Sequence, residues 1–258
     1  MKLQSGQTIL VTGSGGGIGL ATAITASERG LNVVLADIVE DRLKTAVPQI
    51  KGPVHAIAMD ISKREDWKRA RTEAEGKFGA VDILVNCAAI PPKIVPLLDV
   101  DTDYFERIVD VNLKSVFYGM KTFGPPMRER KRGHISNVAS QAGVLPVPQI
   151  GDYVATKYGV VGMSETARLE LAPFGVEVSV CLPGLVRSNM TIGMGMDAIW
   201  VGRAIIKGIE ANSPFIITHP KCREPIEKRH QTMLSCIGDW AQPGYNEDMW
   251  SGQRNKDS

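Results

Sequence analysis

Thr8-Ile9-Leu10-Val11-Thr12-Gly13-Ser14-Gly15-Gly16-Gly17-Ile18-Gly19 is the stretch on which the fold turns. Residues 8–12 are a short, β-branched apolar run that stops at a glycine cluster, as a strand buried on both faces of a parallel sheet does. Ala21, Ala23, Ile24 and Ala26 then recur at helical spacing until Gly30 ends the helix. Strand, glycine turn and helix are consecutive. Glycines in that context let the backbone approach a pyrophosphate at the helix N-terminus, where free N–H groups and the helix dipole favour an anion. The spacing departs from the common Gly-x-Gly-x-x-Gly fingerprint, because position 18 is Ile. It reads Thr12-Gly13-x-x-x-Gly17-Ile18-Gly19.

Working outward, Leu31 to Ala36 is a second apolar strand ending on Asp37, which follows Gly19 by 18 residues. A carboxylate about 20 residues beyond such a loop is placed to accept from the hydroxyls of an adenosine ribose. It would repel a 2′-phosphate, and no Arg or Lys stands in the glycine loop or directly after Asp37, so NAD is favoured over NADP. Val54 to Met59 reads as a third strand that ends at Asp60-Ile61. Ser62-Lys63-Arg64-Glu65 reads as a capping box opening a helix to about Phe78. Asp82 to Asn86 is a fourth strand, His134 to Val138 a fifth, Val176 to Leu182 a sixth and Phe215 to Thr218 a seventh. The alternation predicts one α/β domain over residues 1–258, a doubly wound Rossmann fold with about seven parallel strands and helices on both faces. Its ligand belongs at the carboxyl ends of the strands.

Composition narrows the function classes. The chain has 258 residues, 43% hydrophobic and 22% charged, which speaks against disorder. A net charge of +2 offers no electrostatic case for nucleic acid. Neither the cysteines (87, 181, 222, 236) nor the histidines (55, 134, 219, 230) show ligand spacing, so no metal is expected. The start lacks the apolar run of a signal peptide and no segment approaches ~18 uninterrupted apolar residues, so the expectation is a cytoplasmic protein without a membrane span. The charged run 128–132 contains an acid and closes a helix, which reads as a solvated face.

Tyr153-Val154-Ala155-Thr156-Lys157 is the second informative stretch. A phenol and an ammonium four residues apart share one helix face, where the lysine can lower the phenol's pKa. Such a tyrosine can exchange protons near neutral pH. Alone, the pair is equally an ordinary helix-surface neighbour. Between Asp101 and about Arg130 runs a long helical stretch, with Phe105, Ile108, Val109 and Val116 suggesting its buried face and Asn112 among them.

Taken together, Thr12-Gly13-x-x-x-Gly17-Ile18-Gly19, Asp60, Asn86-Cys87-Ala88-Ala89, Asn112, Ser140, Tyr153-x-x-x-Lys157 and Pro183-Gly184 resemble the short-chain dehydrogenase/reductase family, in its order, over about residues 8–190. The resemblance implies a catalytic tetrad of Ser140, Tyr153, Lys157 and Asn112. Ser140 would bond the substrate oxygen, Tyr153 exchange its proton, Lys157 hold the nicotinamide ribose, and Asn112 hold a water on the proton path. It also implies cofactor contacts from Gly13, Ser14, Gly17, Ile18, Gly19, Asp37, Asp60, Ile61, Asn86, Ala88, Tyr153, Lys157, Pro183, Gly184, Val186 and Ser188. The family's Asn-Asn-Ala-Gly is Asn86-Cys87-Ala88-Ala89 here, so Ala89 adds a methyl beside the cofactor. A homotetramer or homodimer is expected, the tetramer packed through helices 101–125 and 152–172.

The expected substrate walls are loops 139–151 and 185–200, with Gln141, Val144, Gln149, Ile150, Met190, Met194 and Trp200 as candidate contacts. Both loops are apolar and the second is Met-rich, which suits a small hydrophobic substrate; the other reading is packing on neighbouring helices or a subunit. Ile217-Thr218-His219-Pro220-x-x-Arg223 with Glu227 resembles the subgroup that includes Cα-dehydrogenases of aryl alcohols. The tail 239–258 is polar apart from Trp240, Tyr245 and Trp250, and reads as loose or as folding over a pocket or subunit. The expectation is an NAD-dependent oxidoreductase of a hydrophobic secondary alcohol or ketone, aromatic ones included. The alternatives are an NADH-dependent carbonyl reductase and a non-catalytic NAD sensor.

Overall fold

The computed structural model describes residues 2–188, 191 and 193–237. Seven strands form: β1 (Thr8–Thr12), β2 (Asn32–Asp37), β3 (Val54–Ala58), β4 (Val81–Asn86), β5 (Gly133–Val138), β6 (Val176–Leu182) and β7 (Phe215–Ile217). All pair in parallel, in the order β3-β2-β1-β4-β5-β6-β7. The helices are α1 (Gly17–Ser27), α2 (Glu40–Ala46), α3 (Arg64–Phe78), α4 (Thr102–Val109), α5 (Ser115–Glu129), α6 (Gly151–Leu171), α7 (Ala198–Glu210) and α8 (Arg223–Ser235). The unit up to Pro220 carries the whole sheet, and the described part of the unit from Lys221 is built on α8.

Every residue of β1, β4 and β5 is buried, because helices cover both faces. Ile9 and Val11 face one layer with α1 and α7, while Leu10 faces the other with Trp67 and Phe123. Strand order reverses between β1 and β4, so their outgoing loops diverge and leave a crevice at the carboxyl ends.

Some local expectations give way to other interactions. Helix α3 ends at Phe78 as expected, yet no capping box forms: Lys63 is its N-cap, and the Ser62 N–H and hydroxyl both donate to Asp60 Oδ1 (3.0 and 2.7 Å). The nearer carboxylate outcompetes the helix N–H groups for that serine. The stretch 102–129 is helical but is interrupted by a π-helical turn, Asp110–Lys114. The extra residue rotates α4 by about 100° against α5. Ile108 and Val116 are buried as expected, whereas Phe105 lies exposed. The charged run is more than a solvated face: Arg130 donates to Val81 O (3.0 Å) and Arg132 to Asp82 Oδ1 (2.8 Å), tying the end of α5 to the start of β4.

Helices α1 and α7 touch at Gly202, where a Cβ would stand 2.5–2.7 Å from the backbone of Ala21 and Thr22. Gly202→Ala must push the two helices apart and is expected to cost about 1–3 kcal/mol. Urea unfolding checks this, and a wild-type midpoint would contradict so close a crossing.

Candidate active site

A cleft of about 810 Å3 opens at the carboxyl ends of the strands, bounded by the glycine loop, the segments after β2, β3, β4, β5 and β6, and the first turns of α6. Its geometry begins with Thr12, whose Oγ1 accepts from the N–H groups of Cys87 (2.9 Å) and Ala88 (3.1 Å). Gly13 follows with φ +68°, and a Cβ there would lie 2.8 Å from Ala88 Cα. Both the left-handed backbone and the close approach require glycine.

At one end stand Asp37, Asp60 and Ile61. Asp37 is 9% exposed, with Oδ2 accepting from Gly15 N and Oδ1 from Val39 N, each at 3.0 Å. Arg42 lines the same end. No Arg or Lys directly follows Asp37 in the sequence, but the first turn of α2 carries Arg42 back toward it. Two residues expected on the cofactor do not line the cleft. Buried Ser14 ties the loop to β2, donating from N to Ala36 O (3.2 Å) and accepting from Ala36 N through Oγ (2.8 Å). Asn86 donates to Asn137 Oδ1 (2.8 Å) within the sheet. Gly13, Gly17, Ile18, Gly19, Ala88, Pro183, Gly184, Val186 and Ser188 all line the cleft, as does Ala89.

The other end holds Ser140, Tyr153 and Lys157. The last two sit one turn apart on α6, and the Lys157 Nζ is 5.3 Å from the Tyr153 ring centroid. Lys157 is 2% exposed and donates to Val138 O (3.1 Å). Burial brings its pKa down to about 8. Burial also pushes the Tyr153 phenol up to about 12, against a hydrogen bond with Ser140 that lowers it. Desolvation of the phenol thus works against the acidification expected from Lys157, whose ammonium is directed at a carbonyl. Tyr153 stands as the neutral phenol at neutral pH. Burial likewise raises the Cys87 thiol to about 12, so it is no nucleophile at neutral pH.

Asn112 is fully buried in the π-helical turn and does not line the cleft. Its Oδ1 accepts from Ile90 N (2.8 Å) and its Nδ2 donates to Ile90 O (3.0 Å). The pair of bonds pins the segment after β4 to the π-helical turn.

None of the described candidate substrate contacts lines the cleft. Gln141 Nε2 donates to His219 O (3.3 Å), Val144 packs beside Val160 and Val161, and Ile150 is the N-cap residue of α6. Gln149 is exposed, and its carbonyl accepts from Val95 N (2.9 Å). Met194 is exposed, and so is Trp200, which belongs to α7 beneath the Arg203 guanidinium. Met190 and the tail 239–258 lie outside the described residues. Ile90 and Pro91 line the cleft although no expected contact included them, and Thr191, inside the expected wall 185–200, lines it as well. The first two directly follow Ala89, which was signal enough.

Lys157 yields a pH prediction. Below about pH 8 both folded and unfolded states hold its proton, so the cost of burying the charge is fully present. Between about 8 and 10.5 the unfolded chain binds a proton that the folded one lacks, and stability rises with pH by at most ~1.4 kcal/mol per unit. Wild-type unfolding free energy should therefore gain on that of Lys157→Met across this window. Parallel denaturation curves at pH 7 and 10 check the sign.

Comparison with known proteins agrees with this geometry. The model of the family described as short chain dehydrogenase matches residues 7–197. A 2,5-dichloro-2,5-cyclohexadiene-1,4-diol dehydrogenase of Sphingobium indicum is 38% identical over 187 residues, covering 72% of this chain and 75% of its own. A C alpha-dehydrogenase of a Sphingobium species is 30% identical over 269 residues, covering 92% and 88%. The solved 3-ketoacyl-(acyl-carrier-protein) reductase of Brucella melitensis, complexed with NADH, superimposes with a TM-score of 0.78 at 29% identity, covering 83% and 95%. With its ordered motifs, its parallel sheet and a family match that spans most of its length, the chain belongs to the short-chain dehydrogenase family.

Proposed function

We propose that this protein is an NAD-dependent dehydrogenase that moves a hydride between nicotinamide and a hydrophobic secondary alcohol or its ketone, with Tyr153 as acid and base. One observation carries the reading: Ser140, Tyr153 and Lys157 converge at one end of a cleft whose other end is the glycine loop and Asp37. The residues present fit a dinucleotide, with a backbone-only cradle at Gly13 and a carboxylate at the ribose end. The nicotinamide ring supplies the hydride acceptor or donor and, when oxidised, a positive charge. Ser140 orients the substrate oxygen and Tyr153 takes or gives that oxygen's proton. Lys157 holds the ribose and keeps a cation beside the phenol. The aryl-alcohol class is supported by the resemblance to the C alpha-dehydrogenase and by apolar Ile90, Pro91 and Val186 on the cleft wall.

The same site run toward carbonyl reduction, with the Tyr153 phenol giving its proton to the substrate oxygen, is supported by the likeness to the 3-ketoacyl-(acyl-carrier-protein) reductase complexed with NADH. Purified protein with NAD and a panel of aryl carbinols, and with NADH and the matching ketones, tests both directions. Tyr153→Phe should lower kcat/KM by about 10²–10⁴-fold; unchanged activity would sink the mechanism.

The preference for NAD is supported by Asp37, whose buried carboxylate faces the ribose end. Removing it while keeping Arg42 should invert the electrostatics there. Asp37→Ser is expected to raise kcat/KM for NADP at least tenfold relative to NAD, and adding Arg42→Ala should remove the gain. A wild type that prefers NADP would overturn this assignment.

A further inference from the structure

We propose that His219, just beyond the end of β7, is a positioning residue that holds the nicotinamide-side loop and the Ser140 loop in one arrangement. This rests on the cofactor reading above and assigns a role to a histidine that touches neither cleft nor reacting atoms. Gly184 N–H donates to His219 Nδ1 (3.0 Å). That nitrogen therefore carries no proton, and the single proton of the neutral ring sits on Nε2. Nε2 in turn donates to Leu185 O (3.2 Å). One rigid imidazole thus satisfies an N–H and a carbonyl of two successive loop residues, immediately before Val186 and Ser188 on the cleft wall.

The main chain of the same residue bonds the neighbour of Ser140. Its carbonyl accepts from Gln141 Nε2 (3.3 Å), while Gln141 N and Ser140 Oγ both donate to Pro183 O (2.9 and 3.4 Å). The contact leaves no slack: a Cβ on Gly184 would lie 2.9 Å from the ring carbons of His219 and 3.2 Å from Gln141 Oε1. Thr218 Oγ1, 2.9 Å from Nδ1, steadies the ring from its own strand end. The Thr218-His219-Pro220 motif of the sequence thereby acquires a physical function. It fixes the tautomer and angle of a ring that sets the height of the loop above the cleft.

Two substitutions separate the ring's two bonds. His219→Asn places an amide oxygen where Nδ1 was and keeps an acceptor for Gly184 N–H. His219→Gln places its amide at the Nε2 position and leaves Gly184 N–H unmet. NADH dissociation constants from fluorescence, together with separate KM values for NAD and alcohol, read the result. The Gln variant should bind NADH about tenfold more weakly and raise the NAD KM in step, with the alcohol KM unchanged and the Asn variant within about threefold of wild type. Wild-type NADH binding in both variants, or equal impairment of both, would overturn the proposal. A wild-type protein that fails to bind NADH would overturn the cofactor reading itself, and this role with it.

Discussion

The bond pattern around Thr12 is the constraint on which the site depends. At the point where the sheet changes direction, the chains leaving β1 and β4 must part without losing contact with one another. The Thr12 hydroxyl does this by accepting from both Cys87 and Ala88 N–H. Gly13 can then pass within van der Waals contact of Ala88 because it has no side chain. The floor of the cleft is therefore nearly all backbone, which a pyrophosphate can approach and which a larger residue would close. The clasp uses main-chain donors, so the side chains of Cys87 and Ala88 leave it intact.

Burial controls the chemistry at the other end. Tyr153 and Lys157 are adjacent by helix geometry, yet proximity alone does not set their protonation. Desolvation raises the phenol and lowers the ammonium, moving the two in opposite directions. At neutral pH the phenol and the ammonium therefore each keep their own proton, and any charge brought beside them acts in a desolvated pocket where screening is weak.

Much of the fold was legible in the sequence. All seven strands fall within a residue or two of where the sequence places them, most plainly β1 and β4, which are buried along their whole length and largely apolar. The ends of the site were legible as well, because Asp37 and Lys157 belong to motifs of fixed local spacing. What misled were arguments that used one dimension. Ser62 found Asp60 before it found a helix N–H, and a π turn that no periodicity announces breaks the long helical stretch at 110–114. Trp200 joined α7 because Asp197 caps that helix, accepting from Ile199 N.

The sequence by itself determined the order of strands and helices, the glycine cradle and the residue types of the reacting pair, because each follows from contacts between near neighbours along the chain. Only the tertiary structure decided what those residues experience. Arg42 comes to the Asp37 end of the cleft, Asn112 is committed to Ile90, and His219 bonds Gly184, 35 residues before it, and Gln141, 78 residues before it. These are matters of burial and of partners distant in sequence, and burial and pairing exist only once the sheet has closed over them.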